Sequence, residues 1–137
     1  MISSIYKTKF EVDGFEVFIA DNGATGLELA KKVKYVLITG DLVAGIGVYP
    51  NQDKDLNLID ISDQYKELAK LLGKIRKDIL VVLCPGDHDA VMVNEPQPPL
   101  DKEFAKEIYD LENIYLVSNP CLINIHSSEN FPGFDCL

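Results

Sequence analysis

At 137 residues the chain is long enough for one domain with a real core and too short for two ordinary ones. Its 13 basic against 22 acidic residues give a net charge of −9. That balance makes for a poor stand-alone grip on nucleic acid, which comes mainly from Lys and Arg releasing counterions; a partner or local metal ions would have to hold the strand. No apolar run approaches the roughly 20 residues of a membrane span, and the opening MISSIYKTKFEVD lacks a signal peptide's apolar centre. A cytoplasmic protein is expected. The scattered cysteines Cys84, Cys121 and Cys136 have neither the even count nor the paired spacing of a disulfide framework or a structural zinc site.

In chain order, FEVFIA (15–20), KYVLIT (34–39) and ILVVL (79–83) read as short strands. Continuous Val, Ile and Leu runs of this kind suit strands covered on both faces, as in parallel α/β sheets. GLELAKKV (26–33) is a short helical stretch between the first two. In DISDQYKELAKLLGKI, Ile61, Tyr65, Leu68, Ala69, Leu72 and Ile75 share one helical stripe, with Asp60 or Ser62 as N-cap. EPQPPL (95–100) is neither helix nor central strand, because its prolines remove donors and fix φ. DKEFAKEIYDL (101–111) follows as an amphipathic helix capped by Asp101, and then IYLVS (114–118) and CLINI (121–125) as strands around Asn119–Pro120. The order β-α-β-α-β-α-β-β predicts an α/β layered fold.

The connection AGIGVYPNQDKDLNLI (44–59) is long and lacks clear secondary structure. Loops of this length in compact domains tend to be functional or disordered, and this one leaves the sheet edge where α/β proteins place ligands.

Two strand ends carry the candidate chemistry. YVLITGD ends in Gly40-Asp41, and VVLCPGDHD ends in Gly86-Asp87-His88-Asp89. Successive parallel strands present their carboxyl ends on one edge, so these side chains can converge there. Carboxylate oxygens and an imidazole suit Mn²⁺, Fe²⁺ or Zn²⁺, and a glycine beside each aspartate allows a tight turn and close approach to phosphate. A single Gly-Asp after a strand means little, because Asp often only caps the next helix. The pair, one β-α unit apart, is more specific.

GDLV followed by PGDHDA resembles the second and third signatures of the calcineurin-like metallophosphoesterases. GDLVAGIGVYP, DQY, PGDHDAV, EPQP, LVSNP and FPGFD together resemble the small subunit of the archaeal D-family DNA polymerase, over most of residues 34 to 135. The resemblance implies an α/β calcineurin-like phosphoesterase sandwich of which residues 1–137 supply a single, incomplete domain, about the first half. It implies a metal-dependent 3′–5′ exonuclease using two divalent ions, Mn²⁺, Fe²⁺, Zn²⁺ or Mg²⁺. The implied partners are a large catalytic polymerase subunit and DNA 3′ ends.

Under the same resemblance Asp41 bridges the metals and Asp87 stands where a metal-binding asparagine is usual. His88 contacts the scissile phosphate or protonates the leaving oxygen, and Asp89 orients His88 from behind. Asp21, in FIADNGATG, matches the aspartate of an Asp-x-His motif whose histidine position holds Gly23. The family's further histidine ligands follow FPGFD, so impaired activity is expected of this truncated chain. His126 matches no motif and reads as a strand-end residue. A non-catalytic scaffold that docks the large subunit and a generic phosphatase are the alternatives. A receiver-like reading of GFEVFIADNGATGLELA fails for want of an earlier acidic pair.

Overall fold

A computed structural model describes the backbone of residues 2–136 and the side chains of residues 7–136. Its centre is a parallel sheet of β1 (Tyr35–Thr39), β2 (Leu80–Cys84) and β3 (Ile114–Leu116), in that spatial order. β1 pairs with β2 from Tyr35↔Leu80 to Thr39↔Cys84, and β2 with β3 from Val81↔Ile114 to Leu83↔Leu116. The register brings the ends of β1 and β2 level, which is what lets the turns after them meet.

Before the sheet come α1 (Ile2–Val12) and α2 (Gly23–Ala30). α3 (Ile61–Leu72) joins β1 to β2, and the single turn α4 (Lys106–Tyr109) joins β2 to β3. Asp60 caps α3 as the sequence predicts, its Oδ1 accepting from the backbone N–H of Ser62 at 2.8 Å and of Asp63 at 3.1 Å. The stripe Tyr65, Ala69 and Leu72 then packs with Leu100, Ala105 and Ile108 on Val81 and Leu83. Alternation along β2 sends Val81 and Leu83 into this core and leaves Leu80 on the other face.

Several expectations are corrected. FEVFIA (15–20) is not a strand. Phe15 is taken instead by the end of α1, where its N–H bonds the Phe10 carbonyl at 2.9 Å and Gly14 has φ of +91°. This is a glycine-terminated helix end, and it directs Phe15 onto Phe10 and Phe134. The helix expected over 101–111 is confined to Lys106–Tyr109. Asp101 does accept from Glu103 N–H at 2.8 Å, but the turn it opens is interrupted at Ala105, whose φ of −114° and ψ of 30° are not helical. CLINI does not extend the main sheet. Its β4 (Ile123–Ile125) pairs antiparallel with β5 (Phe134–Cys136) as a separate hairpin.

Among the described residues the strands are also not covered on both faces. Leu37, Leu80 and Tyr115 remain 38%, 40% and 53% exposed on one face, because α3 and α4 both lie on the other. No described helix is long and apolar enough to cross a membrane.

Candidate active site

β1 leaves the sheet through Gly40 and Asp41, with φ of +75° and +48°. Aspartate tolerates this left-handed region better than most side chains. The Gly40 N–H still reaches across to the Cys84 carbonyl at 3.0 Å, so the two strand ends stay joined. β2 leaves through Pro85 and Gly86. A Cβ on Gly86 would collide with the backbone nitrogen and Oδ1 of Asp41, so only glycine lets the turns close. Gly45 serves the same purpose nearby, since a Cβ there would strike the His88 carbonyl oxygen.

The closed turns bring Asp41 and His88 together: the His88 backbone N–H donates to Asp41 Oδ1 at 3.2 Å. The His88 ring is anchored separately, with Nδ1 3.1 Å from the Ala44 carbonyl oxygen. A carbonyl only accepts, so Nδ1 carries the hydrogen and Nε2 of the neutral ring is left as an acceptor. Ala44 is itself held by Gln52, which sits in a short 3-10 turn of the long loop and donates from Nε2 to the Ala44 oxygen at 2.8 Å. Gln64 on α3 clamps the same loop, accepting from Gly45 N–H at 3.0 Å and donating to the carbonyls of Gly45 at 3.1 Å and Leu58 at 2.9 Å. The stretch AGIGVYPNQDKDLNLI is thus pinned by buried amides.

Asp89 does not orient the His88 ring by a direct hydrogen bond, as the resemblance implied. Its carboxylate turns inward and is only 5% exposed. Oδ2 accepts from Leu42 N–H at 3.0 Å and Gly86 N–H at 2.9 Å, one donor from each turn. Oδ1 accepts from the Tyr65 hydroxyl at 3.0 Å, and that hydroxyl accepts from Ala90 N–H at 2.9 Å. Asp89 is therefore a brace between the turns, tied to α3. Burial pushes its carboxyl above the usual carboxylate range, against the opposing pull of the Leu42, Gly86 and Tyr65 donors. Burial likewise pushes the Tyr65 hydroxyl up.

Asp87 lies on the outer side of the turn, with Oδ1 3.4 Å from Gln97 Nε2. Asp21 is exposed in the turn before α2, whose cap is Asn22, and no hydrogen bond among the described residues links it to Asp41, Asp87 or His88. His126 belongs to the other end of the sheet. Its Nδ1 lies 3.0 Å from the hydroxyl of Tyr35, the first residue of β1, and the strand runs about 13 Å from there to Thr39 before the turn that holds Asp41. A shallow cavity of about 360 Å³ at that end is lined by Phe15, His126, Phe131 and Phe134 and by none of Asp41, Asp87, His88 and Asp89.

Tyr65, Gln97 and Asn119 escaped the reading of candidate residues from sequence. Tyr65 carried a physical signal, since a phenol on a core stripe needs a buried partner, whereas Gln97 and Asn119 stood only within the EPQP and LVSNP segments of the resemblance. Among the described residues no three His, Cys, Asp or Glu side chains come together as a metal-holding group. The donors present do not fit a complete two-metal centre.

The comparison with protein families bears directly on this site. The model of the DNA polymerase alpha/epsilon B-subunit family matches residues 20–130, a span that holds every strand-end residue described above. The chain belongs to that family. Among the family's archaeal proteins it is similar to the DNA polymerase II small subunit of Methanothermobacter thermautotrophicus, 46% identical over 121 residues, which cover 85% of this chain and 25% of the relative. The protein of the same description from Methanocaldococcus jannaschii is 47% identical over 128 residues, 90% of this chain and 20% of the relative. That from Pyrococcus furiosus is 47% identical over 102 residues, 74% and 17%. The chain thus spans a quarter or less of these relatives' length.

Proposed function

We propose that the chain is part of the small subunit of an archaeal D-family DNA polymerase, acting in replication with a large catalytic subunit. In this reading its calcineurin-like strand-end cluster is the substrate-facing portion of a 3′–5′ exonuclease site. The observation that carries it is the bond from His88 N–H to Asp41 Oδ1, which brings the two strand-end signatures into one site.

The chain's own residues have definable parts. With Nδ1 committed to Ala44, His88 Nε2 is the ring atom left to meet substrate. Nε2 is placed to make a hydrogen bond to a phosphate oxygen or to the leaving oxygen, or to accept one from a water beside them. Asp41 and Asp87 add negative charge to a site read as taking an anionic phosphodiester, so the reading calls for a cation to offset it. Divalent ions would supply that charge, and the full set implied by the family resemblance requires donors beyond those this cluster brings together. Asp21, exposed and before α2, is the weakest candidate for such a donor.

The test is calorimetric titration of the purified chain with Mn²⁺, beside Asp41→Ala, together with Mn²⁺-dependent shortening of a 5′-labelled single-stranded oligonucleotide. A weak Mn²⁺ site lost in Asp41→Ala supports an organised partial site. Absence of both binding and cleavage would overturn the exonuclease reading for this chain and leave the scaffold that docks the large subunit.

A further inference from the structure

EPQP and the Asn119–Pro120 turn carry no candidate ligand, yet they meet behind the second strand-end turn. Gln97 and Asn119 exchange backbone hydrogen bonds, N–H to carbonyl, at 2.7 and 2.9 Å. Their side chains bond as well, Asn119 Nδ2 donating to Gln97 Oε1 at 2.8 Å. Asn119 Nδ2 also donates to the carbonyl of Pro85 at 3.3 Å. Gln97 is 1% exposed, and its Nε2 donates to the Met92 carbonyl at 3.1 Å and to Asp87 Oδ1 at 3.4 Å.

The direction of this relay follows from its ends. The Pro85 carbonyl only accepts, so the Asn119 NH₂ faces it and Gln97 Oε1 together. Gln97 must then present its own NH₂ to Met92 and Asp87. A flipped Gln97 would set Oε1 against a carbonyl and a carboxylate and would leave Asn119 facing a donor. Burial makes that arrangement costly. The relay therefore offers a donor at one place beside the turn, where the Asp87 carboxylate sits.

We propose that Gln97 and Asn119 are positioning residues that hold the Asp87 carboxylate in one orientation on the Pro85–Asp89 turn. The claim that this orientation serves ligand binding rests on the reading of Asp87 as part of the exonuclease site. The geometric claim stands without it. On this account EPQP and SNP are the outer support of the site, as Tyr65 and Asp89 are its inner one.

The test is the side-chain rotamer of Asp87, measured from three-bond NMR couplings in the metal-free chain. A single χ1 rotamer is expected in the wild type. In Gln97→Met, which keeps the volume and the backbone pairing with Asn119, averaging over rotamers is expected. Asn113→Ala removes a buried amide at the far end of β2 and should lower the melting temperature while leaving Asp87 fixed. Averaging already present in the wild type overturns the proposal without any variant, and so does an Asp87 that stays fixed in Gln97→Met. Should Gln97→Met fail to fold, Asn119→Ala removes the relay one step further out and is expected to loosen Asp87; a fixed Asp87 there overturns the proposal. In a parallel Mn²⁺ titration Gln97→Met should bind about tenfold more weakly than wild type. A wild type that binds no Mn²⁺ sinks the metal-ligand reading of Asp87, while the couplings still decide the positioning.

Discussion

Asp89 shows how one side chain can set the spacing of a site. Asp89→Ala would leave the Leu42 and Gly86 amides and the Tyr65 hydroxyl without their acceptor. Unsatisfied buried donors cost about 1–3 kcal/mol each, so a loss of about 3 kcal/mol or more is expected in urea denaturation. Asp89→Asn keeps an acceptor for both amides and should cost far less. The two variants also separate shape from charge. Because the carboxyl pKa is raised in the folded state, the fold holds the Asp89 proton more tightly than the unfolded chain does. The resulting stability is present below the ordinary carboxylate value and is lost as pH rises through the raised one. Wild-type stability should therefore fall relative to Asp89→Asn across that window; parallel pH profiles would contradict it. Gly86→Ala is the complementary test. Its methyl group meets Asp41, and a destabilisation of about 1–3 kcal/mol is expected from forced repacking, with loss of any Asp41-dependent Mn²⁺ binding.

At the scale of elements, α3 both covers the sheet and holds the site. Its cap is local: Asp60→Ala removes the acceptor for Ser62 and Asp63 and should cost about 1 kcal/mol by thermal melting, leaving the site intact. Tyr65→Phe removes a hydroxyl that bonds both Asp89 and Ala90. It should cost a similar amount or more, but with increased amide exchange in the Gly86–Ala90 turn; protection equal to wild type there would refute the coupling of helix to turn. The helix itself was readable from the spacing of Ile61, Tyr65, Leu68 and Leu72, and so were β1 and β2 from their apolar runs. The segment 15–20 was not, because a β-rich composition states only that a stretch suits a pleated, half-buried surface. Here α1 ends just before it and draws Phe15 into an aromatic cluster instead.

At the scale of the whole molecule, the open face of the sheet is the main departure from a finished α/β layer. Parallel strands are ordinarily covered on both sides, and Leu37, Leu80 and Tyr115 form an apolar patch here. The chain should bind a hydrophobic dye and self-associate as concentration rises. Leu80→Lys with Tyr115→Lys should reduce both at a modest cost in melting temperature, since the two side chains are 40% and 53% exposed. An unchanged sedimentation profile would argue against the patch as the cause.

The sequence by itself determined the parallel strands β1 and β2, the capped helix between them, and the placement of Asp41 and Asp87–Asp89 at strand ends on one sheet edge. Apolar runs, helical periodicity and Gly-Asp turns are local signals, legible within a few residues. Only the tertiary structure decided that Asp89 faces inward, that Gly86 must lack a side chain, and that Gln97 and Asn119 stand behind Asp87. Those facts depend on what lies opposite a residue in space. The partner of Asp89 on the other turn is Leu42, 47 residues away, and spacing along the chain carries no record of such a pairing.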